Sequence, residues 1–225
     1  MEGASYAARA TWRARGGYTT DTLGADRISI DKLLSSPEEL SRLREVLAAG
    51  GLIAIPTETH YGLAADPSSE SGVGRIFAAK GRDDGKPLPV LFGSRDQLAG
   101  LGIDAADERV ARYFRIWPAA LTVVLPVRAA LPASRGSRTL GVRLPASAPL
   151  RELLAAVGPL TGTSANRSGE PALDDPAEVA KAFAGSIDLL VDGGTTPGGP
   201  SSTVLDATRE PPVVLRAGAH AWPGI

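Results

Sequence analysis

Short apolar runs alternate with amphipathic stretches along this chain, and the alternation predicts interleaved strands and helices. Residues 27–30 (RISI) are short and β-branched, as a first strand would be. A helix is predicted over 36–49. Ser36 is its N-cap, Pro37 takes the first helical position, and Glu39 completes a capping box. Leu40, Leu43 and Leu47 form the inner face, and Gly50–Gly51 stop the helix. Residues 52–56 (LIAIP) read as a buried strand, followed by a polar loop over 57–69. The next helix covers 69–80, with Val73, Ile76, Phe77 and Lys80 at i, i+3, i+4 and i+7.

Beyond it, strands are predicted over 88–92, 121–127, 139–145, 159–164, 188–192, 202–206 and 212–216, and helices over 94–101, 106–116, 148–156 and 175–183. Strands and helices interleave, yet some strands follow each other directly. The expectation is one α/β domain with a twisted mixed parallel/antiparallel sheet flanked by helices. No internal repeat and no linker follows residue 28. Residues 1–26 are Ala-, Gly- and Arg-rich with little periodicity and no apolar signal-peptide core, and are expected to be a poorly ordered leader. The domain then spans 27–218, with a short tail over 219–225.

Composition narrows the chemistry. At 225 residues and 43% hydrophobic, the chain can bury a core without staples. It has no cysteine, which excludes disulfides, thiolate metal sites and a cysteine nucleophile, and fits a reducing, cytoplasmic setting. Two histidines argue against a histidine-rich metal centre. A net charge of −1 gives no global field that would draw the protein onto nucleic acid. No apolar run approaches the ~18 residues of a membrane span.

Four polar loops carry the unusual residues. In 56–63 (PTETHYGL), Thr57, Glu58, Thr59 and Tyr61 follow a buried strand directly, where ligands gather in open α/β sheets; threonines capping their own loop are the plain alternative. In 80–90, Lys80, Arg82 and Lys86 crowd seven positions. This is no Walker loop, because only three residues separate Gly81 from Gly85 and Pro87 follows Lys86. Lys80 and Arg82, at i and i+2, suit an anion, and equally suit a solvated helix end. In 161–169, Ser164 and Asn166 repeat the i, i+2 spacing among small residues, fit for a ligand or for an ordinary turn. In 192–206, Ser201, Ser202 and Thr203 precede a strand in a long glycine-rich loop. Arg143 and Arg216 stand out of phase with Val142 and Leu215; exposed strand arginines are the plain account of both.

Taken in order, IPTETHYGLAAD, KGRDDGKPLPVL, WPAALTVVLP, GVRLP, TSANRSG and SSTVLD…VVLRAG resemble the YrdC-like L-threonylcarbamoyl-adenylate synthases from residue 28 to residue 218. The resemblance implies the YrdC-like fold in its short, single-domain form. It implies a nucleotidyltransferase reaction, in which L-threonine, bicarbonate and ATP give threonylcarbamoyl-AMP and pyrophosphate. A downstream tRNA threonylcarbamoyl transferase then modifies the adenosine next to the anticodon, and this protein meets tRNA at most weakly and transiently. The implied catalytic set is Lys80, Arg82, Ser164 and Asn166. These four, with Tyr61, Arg143 and Arg216, would contact ATP; Thr57, Thr122 and Ser202 would contact threonine. Mg²⁺ would ride on the triphosphate, with no metal site of the protein's own. Since every reactant is anionic, positioning and charge neutralisation are most of the catalytic task.

The chain departs from that pattern at four places. His60 stands where Val or Phe is usual, which would put a polar ring in an apolar position. Asp83 replaces a proline, Ala119–Ala120 replace Gly-Pro, and Leu91 stands where some members carry a threonine-contacting histidine. The rival readings are an RNA-binding module of the same fold, opposed by the net charge and few aromatics, and a nucleotide-binding relative without synthase activity. Carbamoyl-adenylate chemistry on another acceptor, as in hydrogenase-maturation proteins, goes with zinc-binding Cys modules, and this chain has no cysteine. Neither Lys80 nor Arg82 is expected to fill the core.

Overall fold

The computed structural model of the protein describes residues 19–20, 26–81, 85–222 and 224. The mixed strand directions expected from the sequence are present, distributed over two six-stranded sheets. The first sheet runs β1 (Thr19–Thr20), β2 (Asp26–Ser29), β10 (Leu189–Asp192), β3 (Ile53–Ile55), β4 (Gly62–Ala64), β9 (Thr163–Ser164). The second runs β12 (Val213–Arg216), β11 (Thr203–Asp206), β6 (Leu121–Pro126), β7 (Thr139–Arg143), β5 (Val90–Leu91), β8 (Leu160–Thr161). β10 pairs parallel with β2 and β3 in the first sheet, and in the second β6 pairs parallel with β11 and β5 with β7; the remaining pairs, the central β6–β7 included, are antiparallel.

The continuous apolar run of β3 is explained by burial on both faces. Ile53 and Ile55 join Leu43 and Leu47 of α2 (Pro37–Ala48) and Leu150, Leu153 and Leu154 of α5 (Ala148–Val157) in one core. Ala54 points the other way, into a second core with Ile76 and Phe77 of α3 (Glu70–Lys80) and Val90, Val123 and Val142 of the second sheet. Ile30 and Leu33 of α1 (Ile30–Ser35) close the first core.

Several local expectations are corrected. Only half of the capping box at Ser36 forms: its hydroxyl accepts the Glu39 N–H at 3.3 Å, but the Glu39 carboxylate turns to Arg42. The loop expected over 57–69 contains β4, three residues long and opened by glycine, too short to show a period. Residues 106–116 divide into α4 (Glu108–Ala111) and a 3₁₀ turn, and 94–101 is 3₁₀ as well; α6 (Pro176–Ala182) lies where expected. The strand expected over 159–164 breaks at Gly162 into β8 in one sheet and β9 in the other. Space demands glycine there, since a Cβ would sit 2.5 Å from Leu91 Cγ. Leu91 itself is a core residue, 2% exposed.

Residues 1–18 and 21–25 of the expected leader lie outside the described residues. Thr19–Thr20, however, pair antiparallel with Arg27 and Asp26, so the expected boundary cuts through a sheet edge. At the other end, Trp222 of the expected tail lies 6.0 Å from the ring of Tyr113. No helix among the described residues is long and apolar enough to cross a membrane.

Candidate active site

Helix α3 delivers the first group. Ser69 caps its start by accepting the Gly72 N–H, and Gly81, at φ 64°, ends it immediately after Lys80. Lys80 is 2% exposed, which removes the solvated-helix-end reading. Its ammonium donates to the carbonyl oxygens of Ser164 and Asn166 and, at 3.1 Å, to Asn166 Oδ1. Ser164 Oγ donates to the same Oδ1 at 2.6 Å, and Asn166 Nδ2 is spent on the Glu170 carbonyl, also at 2.6 Å. Three of the four signature residues are thus one hydrogen-bonded unit at the open edge of the first sheet. The fourth, Arg82, lies outside the described residues, as does Asp83.

The second sheet carries the second group on one face. Val123 pairs with Val142, both in the core, so Thr122 and Arg143 come together on the opposite face. Thr122 Oγ1 lies 3.0 Å from Ser202 Oγ. Arg216 donates through Nη2 to the Ser202 carbonyl at 2.7 Å and to its hydroxyl at 3.3 Å. Arg143 is 6% exposed, which excludes the exposed-strand account for it. Burial, opposed by Glu58 and reinforced by Arg216, lowers its pKa, without threatening its charge near neutrality.

The third group is the loop between β3 and β4. Thr57 Oγ1 donates to the His60 carbonyl at 2.7 Å and accepts the Thr59 N–H at 3.1 Å, so this hydroxyl shapes its own loop. Tyr61 is fully buried. Its hydroxyl donates to the Gly194 carbonyl at 2.8 Å and accepts the Gly193 N–H at 3.1 Å, and burial pushes its pKa up to about 12. His60 is the surprise. Its position is polar, not apolar: Nδ1 lies 2.6 Å from Asp174 Oδ1 and Nε2 lies 2.7 Å from the Gly199 carbonyl. Thr196 Oγ1 donates to Asp174 Oδ1 at 2.8 Å, and the Gly198 N–H donates to Thr59 O at 2.7 Å. Loop 57–61 and loop 193–199 are stitched into one surface.

Glu58 joins the halves, its Oε2 lying 3.5 Å from Arg143 Nη2. Sequence reasoning named Glu58 without giving it a role, and missed Asp174 entirely, since nothing local ties that residue to His60. Hydroxyls, amides and cations fixed before any ligand arrives suit a polyanionic substrate. Among the described residues, no group of three or more His, Asp or Glu side chains can hold a metal ion.

Residues 45–218 match the Sua5/YciO/YrdC family, described as Telomere recombination. The chain belongs to that family. Among its Sua5/YciO/YrdC relatives is the Threonylcarbamoyl-AMP synthase of Pyrococcus abyssi, 41% identical over 75% of this chain and 51% of that protein. The Threonylcarbamoyl-AMP synthase of Chromohalobacter salexigens is 38% identical over 75% of this chain and 94% of that protein. The crystal structure of P. abyssi Sua5 complexed with L-threonine superposes with a TM-score of 0.73 at 38% identity, covering 81% of this chain and 55% of that one. The chain therefore spans about half the length of its Pyrococcus relative.

Proposed function

We propose that this protein is an L-threonylcarbamoyl-adenylate synthase, a nucleotidyltransferase acting on L-threonine, bicarbonate and ATP. The observation that carries the reading is its 38% identity to a Threonylcarbamoyl-AMP synthase along 94% of that protein's length. The geometry supports it with the buried Lys80 at the end of α3, bonded to the edge of the first sheet, with Arg143 and Arg216 on the second sheet, and with hydroxyls beside both.

In this reading the threonine amine and bicarbonate form a carbamate. The carbamate oxygen attacks the α-phosphorus of ATP, and pyrophosphate leaves. Lys80, with Arg82, offsets the charge on the reacting phosphates, and Ser164 and Asn166 orient it. Arg143 and Arg216 serve the remaining anionic groups. Thr57, Thr122 and Ser202 border the threonine side, and Tyr61 ties the Thr57 loop to the loop that leads to Ser202. Mg²⁺ arrives with ATP and is held by phosphate oxygens. The product passes to a tRNA-modifying transferase in the cytoplasm.

The test is pyrophosphate release with ATP, bicarbonate and each amino acid in turn. Release that needs both threonine and bicarbonate is expected. Equal release without bicarbonate would overturn the carbamate route.

A further inference from the structure

We propose that Glu58 receives the ammonium group of the amino-acid substrate and takes its proton before the amine is carboxylated; this rests on the synthase reading above. The pair Glu58–Arg143 is almost closed to solvent, with side chains 14% and 7% exposed. Its contact, at 3.5 Å, is at the limit of a hydrogen bond. Glu58 Oε1 and Arg143 Nε are both buried with no hydrogen-bond partner. Charged atoms left so cost stability unless something pairs with them. Arg143 thus fixes where the carboxylate stands without using it up.

The sign of the charge decides what Glu58 can receive. Triphosphate, bicarbonate and the threonine carboxylate are all anions and would be repelled by it. With Mg²⁺ held by the phosphate oxygens of ATP, the ammonium is the one cationic group on the three substrates themselves. Thr57, the preceding residue, anchors its own loop through His60 O and Thr59 N–H, so the carboxylate is presented from a fixed backbone.

The step balances. One ammonium proton passes to the Glu58 carboxylate. The freed amine lone pair forms the N–C bond to the bicarbonate carbon. A C–O bond breaks, and the hydroxyl leaves as water with a second proton from nitrogen. A carbamate and a neutral Glu58 remain, and Glu58 returns its proton to solvent. A carboxylate that touches the substrate amine is a catalytic residue in the strict sense.

The test is Glu58→Gln, which keeps shape and removes charge. Against wild type at pH 7, kcat/KM for threonine is expected to fall about 100-fold while KM for ATP stays within about twofold. The ratio of wild type to variant should narrow as pH rises and free threonine loses its ammonium charge, a change that a merely structural role would not produce. A second measurement needs no variant. By calorimetry, the wild-type protein should bind threonine at least about tenfold tighter than 2,3-dihydroxybutanoate, which has hydroxyl in place of the amine. Equal affinity for the two, or a Glu58→Gln protein with unchanged threonine kinetics, overturns the role of Glu58 alone. A wild-type protein that binds no threonine overturns the synthase reading beneath it.

Discussion

The ammonium of Lys80 meets Asn166 twice, at its backbone carbonyl 2.9 Å away and at its side-chain oxygen 3.1 Å away. Removing that ammonium does more than take one charge from the site, because acceptors inside the protein lose their donor. Lys80→Ala is expected to lower kcat/KM by about 100-fold. Contrary to the expectation from sequence, it should also cost about 2–4 kcal/mol of stability. Lys86 is exposed a few residues along the same loop, and Lys86→Ala should leave both within about threefold or 0.5 kcal/mol. Steady-state kinetics beside urea unfolding checks both quantities. Equal losses at the two positions would point to a general charge effect.

Tyr61 gives the protein an alkaline limb. Its pKa rises from 10.0 in an unfolded chain to about 12 when folded, mainly through burial. Its contribution is complete below pH 10 and is lost as pH climbs through 12, because the unfolded tyrosine ionises first. Tyr61→Phe should flatten the fall in stability over that window. At pH 7 it should cost about 1–3 kcal/mol, since Gly193 and Gly194 lose their partner. Denaturant melts at a series of pH values give both results.

His60→Val puts an apolar side chain at a position whose surroundings are polar, and should destabilise this chain. A carbonyl only accepts, so Nε2 donates to Gly199 O. Valine leaves that exposed carbonyl to water and removes a partner of Asp174. A loss of about 1–2 kcal/mol is expected, with a rise in KM for threonine because loop 193–199 leads directly to Ser202. An unchanged melting temperature would mean that the two loops hold together without the ring.

Truncation tests the domain boundary. A chain beginning at Arg27 lacks β1 and the buried Asp26, and should melt at least about 4 °C lower than a chain beginning at Tyr18. Identical melting curves would show that the edge strand adds nothing.

The elements legible in the sequence were those with a period or a cap. Ser36–Pro37 and Val73–Ile76–Phe77 placed α2 and α3, and the apolar run at 52–56 placed β3. What stayed hidden was two to four residues long or depended on distant partners. β4 and the break at Gly162 lack any period, and whether 159–164 serves one sheet or two depends on Leu91, far away in the chain. Within the site, i, i+2 spacing brought out Ser164 and Asn166. It could not show that Lys80 would be buried against them, because an i+7 lysine at a helix end reads the same whether covered or solvated. The His60–Asp174 contact spans 114 residues, and no local pattern encodes it.

Gly162 also sets the mechanics of the molecule. On one side of it, Thr161 donates its backbone N–H to the Ala65 carbonyl and its hydroxyl accepts the Ala65 N–H, both at 2.9 Å; on the other, the Ser164 carbonyl accepts from the Lys80 ammonium. The Gly162 N–H is itself held by Pro89 O at 2.8 Å. A few residues of chain thus rivet the two sheets together beside the reacting groups. A jaw-like rocking of one sheet on the other would have to shear this rivet, so tightening around substrates is expected in the loops, and the continuous chain holds Lys80 at a set distance from the arginines of the second sheet.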